Sequence, residues 1–378
     1  MQKQKFYIIG HNPNALEEAE DFLKAGANAL EPDICFDKSK PEQFFVSHGP
    51  PIGNPFTAEH SLVNYLTGLR KLITDPRINY NLAMITFDIK TPTFDINKFI
   101  SIVFENFSSF PICDGVALII TVPSLTSVGF LNAYDQTKAN LAIGVDDEKS
   151  AKNVEAAFKA SGQKKIIYAN GNIAGNVELG LFKSIMAAKG VQAIGQGNSF
   201  SIIYTWVLHR KSSIRSFLDL HIDGIIVDLD VVPRLLKILR EDHFSAMYEL
   251  AQNSYNPFIG PPPSRYLLTI KTRDVNFAGT DVPVKFTIVG LKGMLETTLD
   301  CDFKDVMERG ETDFLTLEGN DIGQIVCLTV AQLRSGINSG WLPESIKLES
   351  PLIPAPLTFN YGPNEWVDLE HPITKLPS

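Results

Sequence analysis

The chemistry this chain can offer is concentrated at the ends of a few apolar runs. His11 follows Phe6-Tyr7-Ile8-Ile9-Gly10, Glu31 and Asp33 lie in Ala29-Leu30-Glu31-Pro32-Asp33-Ile34, and His48 follows Phe44-Phe45-Val46-Ser47. Asp88 and Lys90 close the run that begins Ala83-Met84-Ile85-Thr86-Phe87. Carboxylates aimed into one cleft repel unless something positive lies between them, and oxygen donors are the ligands hard divalent cations prefer. Glu31, Asp33 and Asp88 therefore read as a site for a hard divalent cation, Mg²⁺ or Ca²⁺. Lys90 adds a fixed positive charge suited to a phosphate oxygen. Imidazoles, with an unperturbed pKa of about 6.5, suit proton transfer near neutral pH. Taken singly, each residue has a blander reading as a helix end, a turn cap or a surface loop. Their shared position at the ends of strand-like runs favours a site.

Those runs must be positioned by a common framework. Short apolar segments bounded by turn residues are what a parallel sheet covered on both faces requires, and residues i and i+2 of a strand share a face. Further strands are expected at 83–89, 115–121, 141–145, 165–169, 201–206 and 223–227. Helices are expected at 15–24, where Gly26 is the stop signal, and at 151–160 and 179–189. If 44–47 folds back as a hairpin partner of the second strand, eight strands remain for a (β/α)₈ TIM barrel, whose chemistry sits at the C-terminal strand ends. Asp146 ends one such strand. Tyr204 and Trp206 end another at alternate positions. Trp206 reads as a core aromatic or, beside a cation and a phosphate-binding lysine, as a face for a quaternary ammonium group.

The motifs Gly10-His11-Asn12-Pro13-Asn14-Ala15, Gly26 to Asp37, Ser47-His48-Gly49 and Phe87-Asp88-Ile89-Lys90-Thr91 resemble the sphingomyelinase D (phospholipase D toxin) family of the glycerophosphodiester phosphodiesterase (GDPD) superfamily. Tyr204-Thr205-Trp206, Asp223-Gly224-Ile225-Ile226 and the tail 250–258 continue the resemblance, which spans about residues 5 to 260. It implies a lipid phosphodiesterase in which Glu31, Asp33 and Asp88 hold Mg²⁺ and His11 and His48 flank the scissile phosphate. It also implies that Lys90 binds a phosphate oxygen, that Trp206 and Tyr204 shape the head-group side, that Asp146 stands near the substrate, and that the tail plugs the barrel floor. Such enzymes often use the lipid's own hydroxyl as attacker, giving a cyclic phosphate, and the resemblance implies a secreted protein. His11-Asn12-Pro13 lacks the arginine usual in glycerophosphodiesterases, which favours the phospholipase D branch. The family's cysteine-bridged loop after the second histidine reads here Gly49-Pro50-Pro51-Ile52-Gly53-Asn54-Pro55, without cysteine.

Beyond Pro261-Pro262-Pro263, a stiff linker, short β-rich segments separated by turns suggest an antiparallel sandwich. The domains expected are 1–262 and 263–378. Residues 278–284, Gly290, Arg309-Gly310, Asp313-Phe314, Ile322-Gly323 and Gly340-Trp341, closed by Phe359 and Trp366, resemble a PLAT (lipoxygenase-homology) domain. That resemblance implies help in reaching membranes or protein partners, sometimes with Ca²⁺, for which Asp274, Asp281 and Asp302 are candidates. Trp341 and Trp366 read as interface anchors or, more ordinarily, as core.

Composition bounds the partners. A formal net charge of −9 and the absence of any basic run interleaved with aromatics argue against nucleic acid. The cysteines, Cys35, Cys113, Cys301 and Cys327, show no zinc spacing. Met1-Gln2-Lys3-Gln4-Lys5 leads straight toward a strand, so no signal peptide is expected, and no run has membrane-spanning length. A Mg²⁺-dependent phospholipase D-like enzyme on sphingomyelin or lysophospholipids is the reading preferred. The alternatives are a glycerophosphodiesterase acting on soluble deacylated lipids and a non-catalytic lipid-binding protein.

Overall fold

The structure, a computed structural model, describes residues 3–37, 40–49, 61–78, 80–90, 93–127, 138–146, 150–160, 162–163, 165–171, 178–194, 200–258, 265–301, 304–319, 321–336 and 339–378. Its first part is a closed parallel barrel. The strands are β1 (Gln4–His11), β2 (Ala29–Glu31), β5 (Met84–Ile89), β6 (Ala117–Val122), β7 (Leu141–Val145), β8 (Ile166–Gly171), β9 (Phe200–Trp206) and β10 (Gly224–Val227). Each pairs with its neighbour, and β1 pairs with both β2 and β10 to shut the ring. Pro32, which cannot donate to a ladder, breaks the second strand; β3 (Asp33–Asp37) continues it against β5 and turns into β4 (Lys40–Val46), its antiparallel partner. The expected hairpin and the count of eight both hold.

Alternation explains why these strands are apolar throughout yet end in charge. In β1, Phe6 and Ile8 face the helices while Tyr7 and Ile9 fill the barrel interior, all 1% exposed or less. In β5, Ile85 and Phe87 face outward and Met84 inward. The inward series continues past the packed layers as His11 after Ile9, Glu31 after Ala29, and Asp88 after Met84 and Thr86. The same parity gives Asp146 after Ala142, Trp206 after Ile202 and Tyr204, and Asp228 after Ile226. The period of two thus delivers polar side chains to the mouth only where the interior packing ends.

The floor is closed by the tail after β11 (Tyr248–Leu250), as expected: Ala251, Tyr255 and Phe258 join the interior cluster. Asn28 ties this floor together, accepting from Ile8 N (2.7 Å) and donating to Phe6 O and Ala251 O (both 3.0 Å). Gly115 is glycine because a Cβ there would strike the Asn253 carbonyl of the tail.

The second part is an antiparallel sandwich of two sheets in the order β15-β12-β17-β18 and β14-β13-β16-β19. Its strands are β12 (Arg265–Thr272), β13 (Val284–Gly290), β14 (Gly293–Leu299), β15 (Thr312–Glu318), β16 (Ile325–Gln332), β17 (Pro343–Glu349), β18 (Leu357–Asn360) and β19 (Ile373–Lys375). Trp341 is core, fully buried with its indole donating to Thr272 Oγ1 at 3.1 Å, whereas Trp366 is 37% exposed. The sandwich packs on the barrel through the helix after β8 at Glu178–Ile194. That helix is labelled α5, after α1 (Leu16–Ala25), α2 (Leu62–Thr74), α3 (Ile96–Val103) and α4 (Ala151–Ala160).

Lys189 of α5 is 1% exposed, yet it donates to Glu318 Oε1 at 2.9 Å and to the His221 carbonyl. Arg265 Nε donates to the same Glu318 oxygen at 3.1 Å. Nearer the mouth, Lys183 pairs with Glu311. Apolar packing runs without a break from the barrel helices into the sandwich. The proline linker lies outside the described residues. All four cysteines are unpaired. Among the described residues no helix is long and apolar enough to cross a membrane.

Candidate active site

The mouth of the barrel gathers the predicted carboxylates. Backbone register sets Asp33 beside Asp88 and His11 beside Glu31. Glu31, Asp33 and Asp88 are buried, and each offers an oxygen within 4.8 Å of the others; among the described residues this is the one such group that could hold a metal. Lys90 Nζ reaches Asp33 Oδ1 at 2.7 Å and also pairs with Asp88. Three carboxyl groups against one ammonium are an excess of acid in a largely buried site.

That excess, with burial, sets the direction of the pKa shifts. Burial pushes the Glu31 carboxyl well above the usual carboxylate range, and Asp88, Asp33 and Asp146 add to it while Lys90 opposes. Asp88 is raised as well, chiefly by burial, with Lys90 pulling down and Asp33 pushing up. Burial works against the charge on Lys90, but Asp88 and Asp33 outweigh it and raise its pKa. Clustered all-oxygen donors with more acidic than basic groups fit a hard divalent cation, which Glu31, Asp33 and Asp88 would hold.

Around this cluster stand residues that the reading of the sequence did not single out. Asn14 braces Asp33 twice, its Nδ2 donating to Oδ2 at 2.7 Å and its Oδ1 accepting from the Asp33 amide at 2.9 Å. The Asn12 amide N–H donates to Glu31 Oε2 at 3.1 Å. The Asn12 side-chain amide bridges the two halves, one of its terminal atoms lying 3.2 and 3.3 Å from Glu31 Oε2 and Asp33 Oδ2 and the other 3.2 Å from His11 Nε2. Asp228 takes the other side of the ring, with Oδ1 2.9 Å from His11 Nδ1. A carboxylate on Nδ1 fixes the tautomer and aims Nε2 at the acidic cluster. Asp228 was legible in principle, because it follows Ile226 on the inward face as Asp88 follows Thr86.

The remaining predicted residues fall at different depths. His48 is exposed on the bend after β4, and the proline-rich segment that follows it lies outside the described residues beyond Gly49. Trp206 lies half-buried across the mouth, its Nε1 donating to the Asp146 carbonyl at 3.0 Å. Gly171 makes room for it, since a Cβ there would collide with the Trp206 backbone and indole. Asp146 is near enough to raise both Glu31 and Tyr204. Tyr204 is 0% exposed and belongs to the interior cluster, so it stands beneath the carboxylates and not on an open head-group face. Parity accounts for this, since Trp206, two residues on, takes the outer inward-facing position. In the sandwich, Asp274 is engaged by Arg309 Nε at 2.7 Å, Asp281 is exposed, and Asp302 lies outside the described residues.

Comparison with known proteins identifies the family. The family described as "Dermonecrotic toxin SPH" matches residues 1–258, and PLAT/LH2 matches residues 266–374. Dermonecrotic toxin LapSicTox-alphaII1 of Loxosceles apachea is 26% identical over 275 residues, 67% of this chain and 98% of the toxin. LbSicTox-alphaIB1a of Loxosceles boneti is 25% identical over 279 residues, 68% of this chain and 98% of the toxin. The solved glycerophosphodiester phosphodiesterase of Thermotoga maritima aligns with a TM-score of 0.41 and 18% identity over 63% of this chain and 100% of that chain. The chain therefore belongs to the SPH dermonecrotic toxin family, with a PLAT/LH2 domain following its barrel.

Proposed function

We propose that the chain is a Mg²⁺-dependent phosphodiesterase of the phospholipase D type that releases the head group of sphingomyelin or of a lysophospholipid. The observation that carries this reading is the buried Glu31, Asp33 and Asp88 group facing a histidine whose far nitrogen is held by Asp228. Bound there, Mg²⁺ would withdraw charge from the phosphoryl oxygens as the transition state forms. His11 Nε2 takes the proton from the attacking hydroxyl, and Asp228 steadies the imidazolium that results. His48, at the rim, protonates the leaving alcohol. Lys90, with 27% of its side chain exposed, offers its ammonium to a phosphate oxygen. Trp206 presents an aromatic face to a choline group. Attack by the lipid's own hydroxyl gives a cyclic phosphate and free head-group alcohol.

The sandwich serves membrane contact in this reading, and the division into residues 1–262 and 263–378 is part of it. Helix α5 returns down the outside of the barrel from the end of β8, so its first turns lie toward the mouth. Lys183 meets Glu311 before β15 begins, and Lys189 meets Glu318 where β15 ends, so β15 also starts at the mouth end. The turn after β12 lies at that end and projects Phe277, 80% exposed, and Val275, 40% exposed, from a base held by Arg309 on Asp274 and Asn276. Such contact needs no Ca²⁺ in this reading, since apolar side chains enter the lipid interface unaided. Like the toxins it matches, the protein would act outside the cell that makes it.

One reaction on sphingomyelin vesicles tests the reading. ³¹P NMR should show a cyclic phosphate product and no reaction in chelator, and the protein should sediment with the vesicles. A product set holding only the linear monoester would refute cyclisation. Protein left in the supernatant would refute the membrane contact.

A further inference from the structure

We propose that His209 is a positioning residue for His11, acting through the carboxylate of Asp228. This inference rests on the phosphodiesterase reading for its kinetic consequence, but its geometry stands apart from it. Asp228, the residue after β10, presents Oδ1 to His11 Nδ1 at 2.9 Å and Oδ2 to His209 Nδ1 at 3.7 Å. The carboxylate thus lies between two imidazoles. All three side chains remain open to water, at 33% for His11, 43% for Asp228 and 46% for His209.

That openness is what gives the outer histidine a task. A half-exposed carboxylate can turn about its Cβ–Cγ bond and exchange a side-chain partner for water, because a solvated pair gains little from direct contact. A second imidazole 3.7 Å from Oδ2, beyond hydrogen-bond reach but inside ion-pair range, attracts that oxygen when protonated and so opposes the rotation that would turn Oδ1 away from His11. His209 is itself delivered by a held backbone, since Arg234 Nη1 donates to the His209 carbonyl at 2.5 Å. Arg234 belongs to the helix Val232–Leu239 that follows β10, so one βα unit supplies both Asp228 and the anchor for the residue that steadies it. Among the described residues the one ion-pair partner of His209 is Asp228, and none of the cluster's carboxylates pairs with it. Its effect reaches the reaction only through Asp228.

The test is a double-mutant cycle read in kcat and KM for choline release. His209→Ala should lower kcat about threefold at unchanged KM, the size expected of a solvent-exposed charge contact. His209→Lys, which keeps a cationic side chain at that place, should recover most of that loss. In an Asp228→Asn background, where the carboxylate is gone, His209→Ala should add nothing. An unchanged kcat in His209→Ala, or the same threefold loss in the Asp228→Asn background, would overturn the proposal. A second readout does not depend on turnover. In ¹⁵N-histidine-labelled protein the His11 Nδ1–H should exchange with water faster in His209→Ala than in the unaltered chain. Unchanged exchange would overturn the positioning role. Faster exchange in a protein that releases no choline would uphold it and remove the phosphodiesterase reading instead.

Discussion

Replacing His11 by alanine is expected to lower turnover by about 10³-fold while the melting temperature stays close to that of the unaltered protein. The magnitude is that of a lost general base, for which positioned proton transfer contributes about 10² to 10⁴. His11 stands past the last packed layer of the barrel interior, with a third of its side chain open to water, so its removal leaves no cavity in the core. Its Nδ1 is held by Asp228 and its Nε2 faces the Asn12 amide that borders Glu31 and Asp33. The measurement is the steady-state rate of choline release beside a thermal melt. Retained turnover would remove His11 from the reaction, and a collapsed melt would make its role structural.

The second large effect concerns the joint between the two parts. Lys189→Ala is expected to destabilise the protein by about 3 kcal/mol, because it strips both the Glu318 carboxylate and the His221 carbonyl of a buried charged donor. Lys189 has 1% exposure and Glu318 9%, and Arg265 alone would remain to balance the carboxylate. Burial by itself would raise the Glu318 carboxyl, but Lys189 and Arg265 overcome it and bring it down to about 2. A depressed carboxylate pKa means that this contribution is in place above the unfolded value, about 4.3, and is lost as the pH falls toward 2. Denaturant unfolding followed by fluorescence at neutral pH measures the difference. A change below about 0.5 kcal/mol, the range of ordinary surface substitutions, would show that the joint does not depend on this pair.

Much of the barrel is legible because two periodicities coincide in its strands. A segment such as Ala83 to Lys90 is apolar on both faces until the interior ends, and the same alternation that buries Met84 and Thr86 presents Asp88 and Lys90. The break at Pro32 and the hairpin into β4 follow from proline's missing donor and from the turn residues nearby. What was not legible depends on three-dimensional neighbours. Lys189 has the local signature of a solvated charge on a helix, and only the sandwich shows that it is buried. Gly171 has no side chain to attract notice, yet the space it leaves is what Trp206 occupies. Asn14 and Asn12 lie in a loop whose residues read as turn formers, and their hydrogen bonds to Asp33 and Glu31 depend on the barrel having closed. β18 and β19 are short edge strands completed by pairing with β17 and β16, so their local sequence carries little signal of its own.

Phosphodiesterase activity at this barrel mouth requires that Glu31, Asp33 and Asp88 grip a divalent cation. Calorimetric titration of the full chain with Mg²⁺, repeated on Asp88→Asn, tests it directly. The prediction is one bound ion per chain for the unaltered protein and no measurable binding for the variant. Absence of binding to the unaltered chain, or equal binding by both proteins, would contradict it.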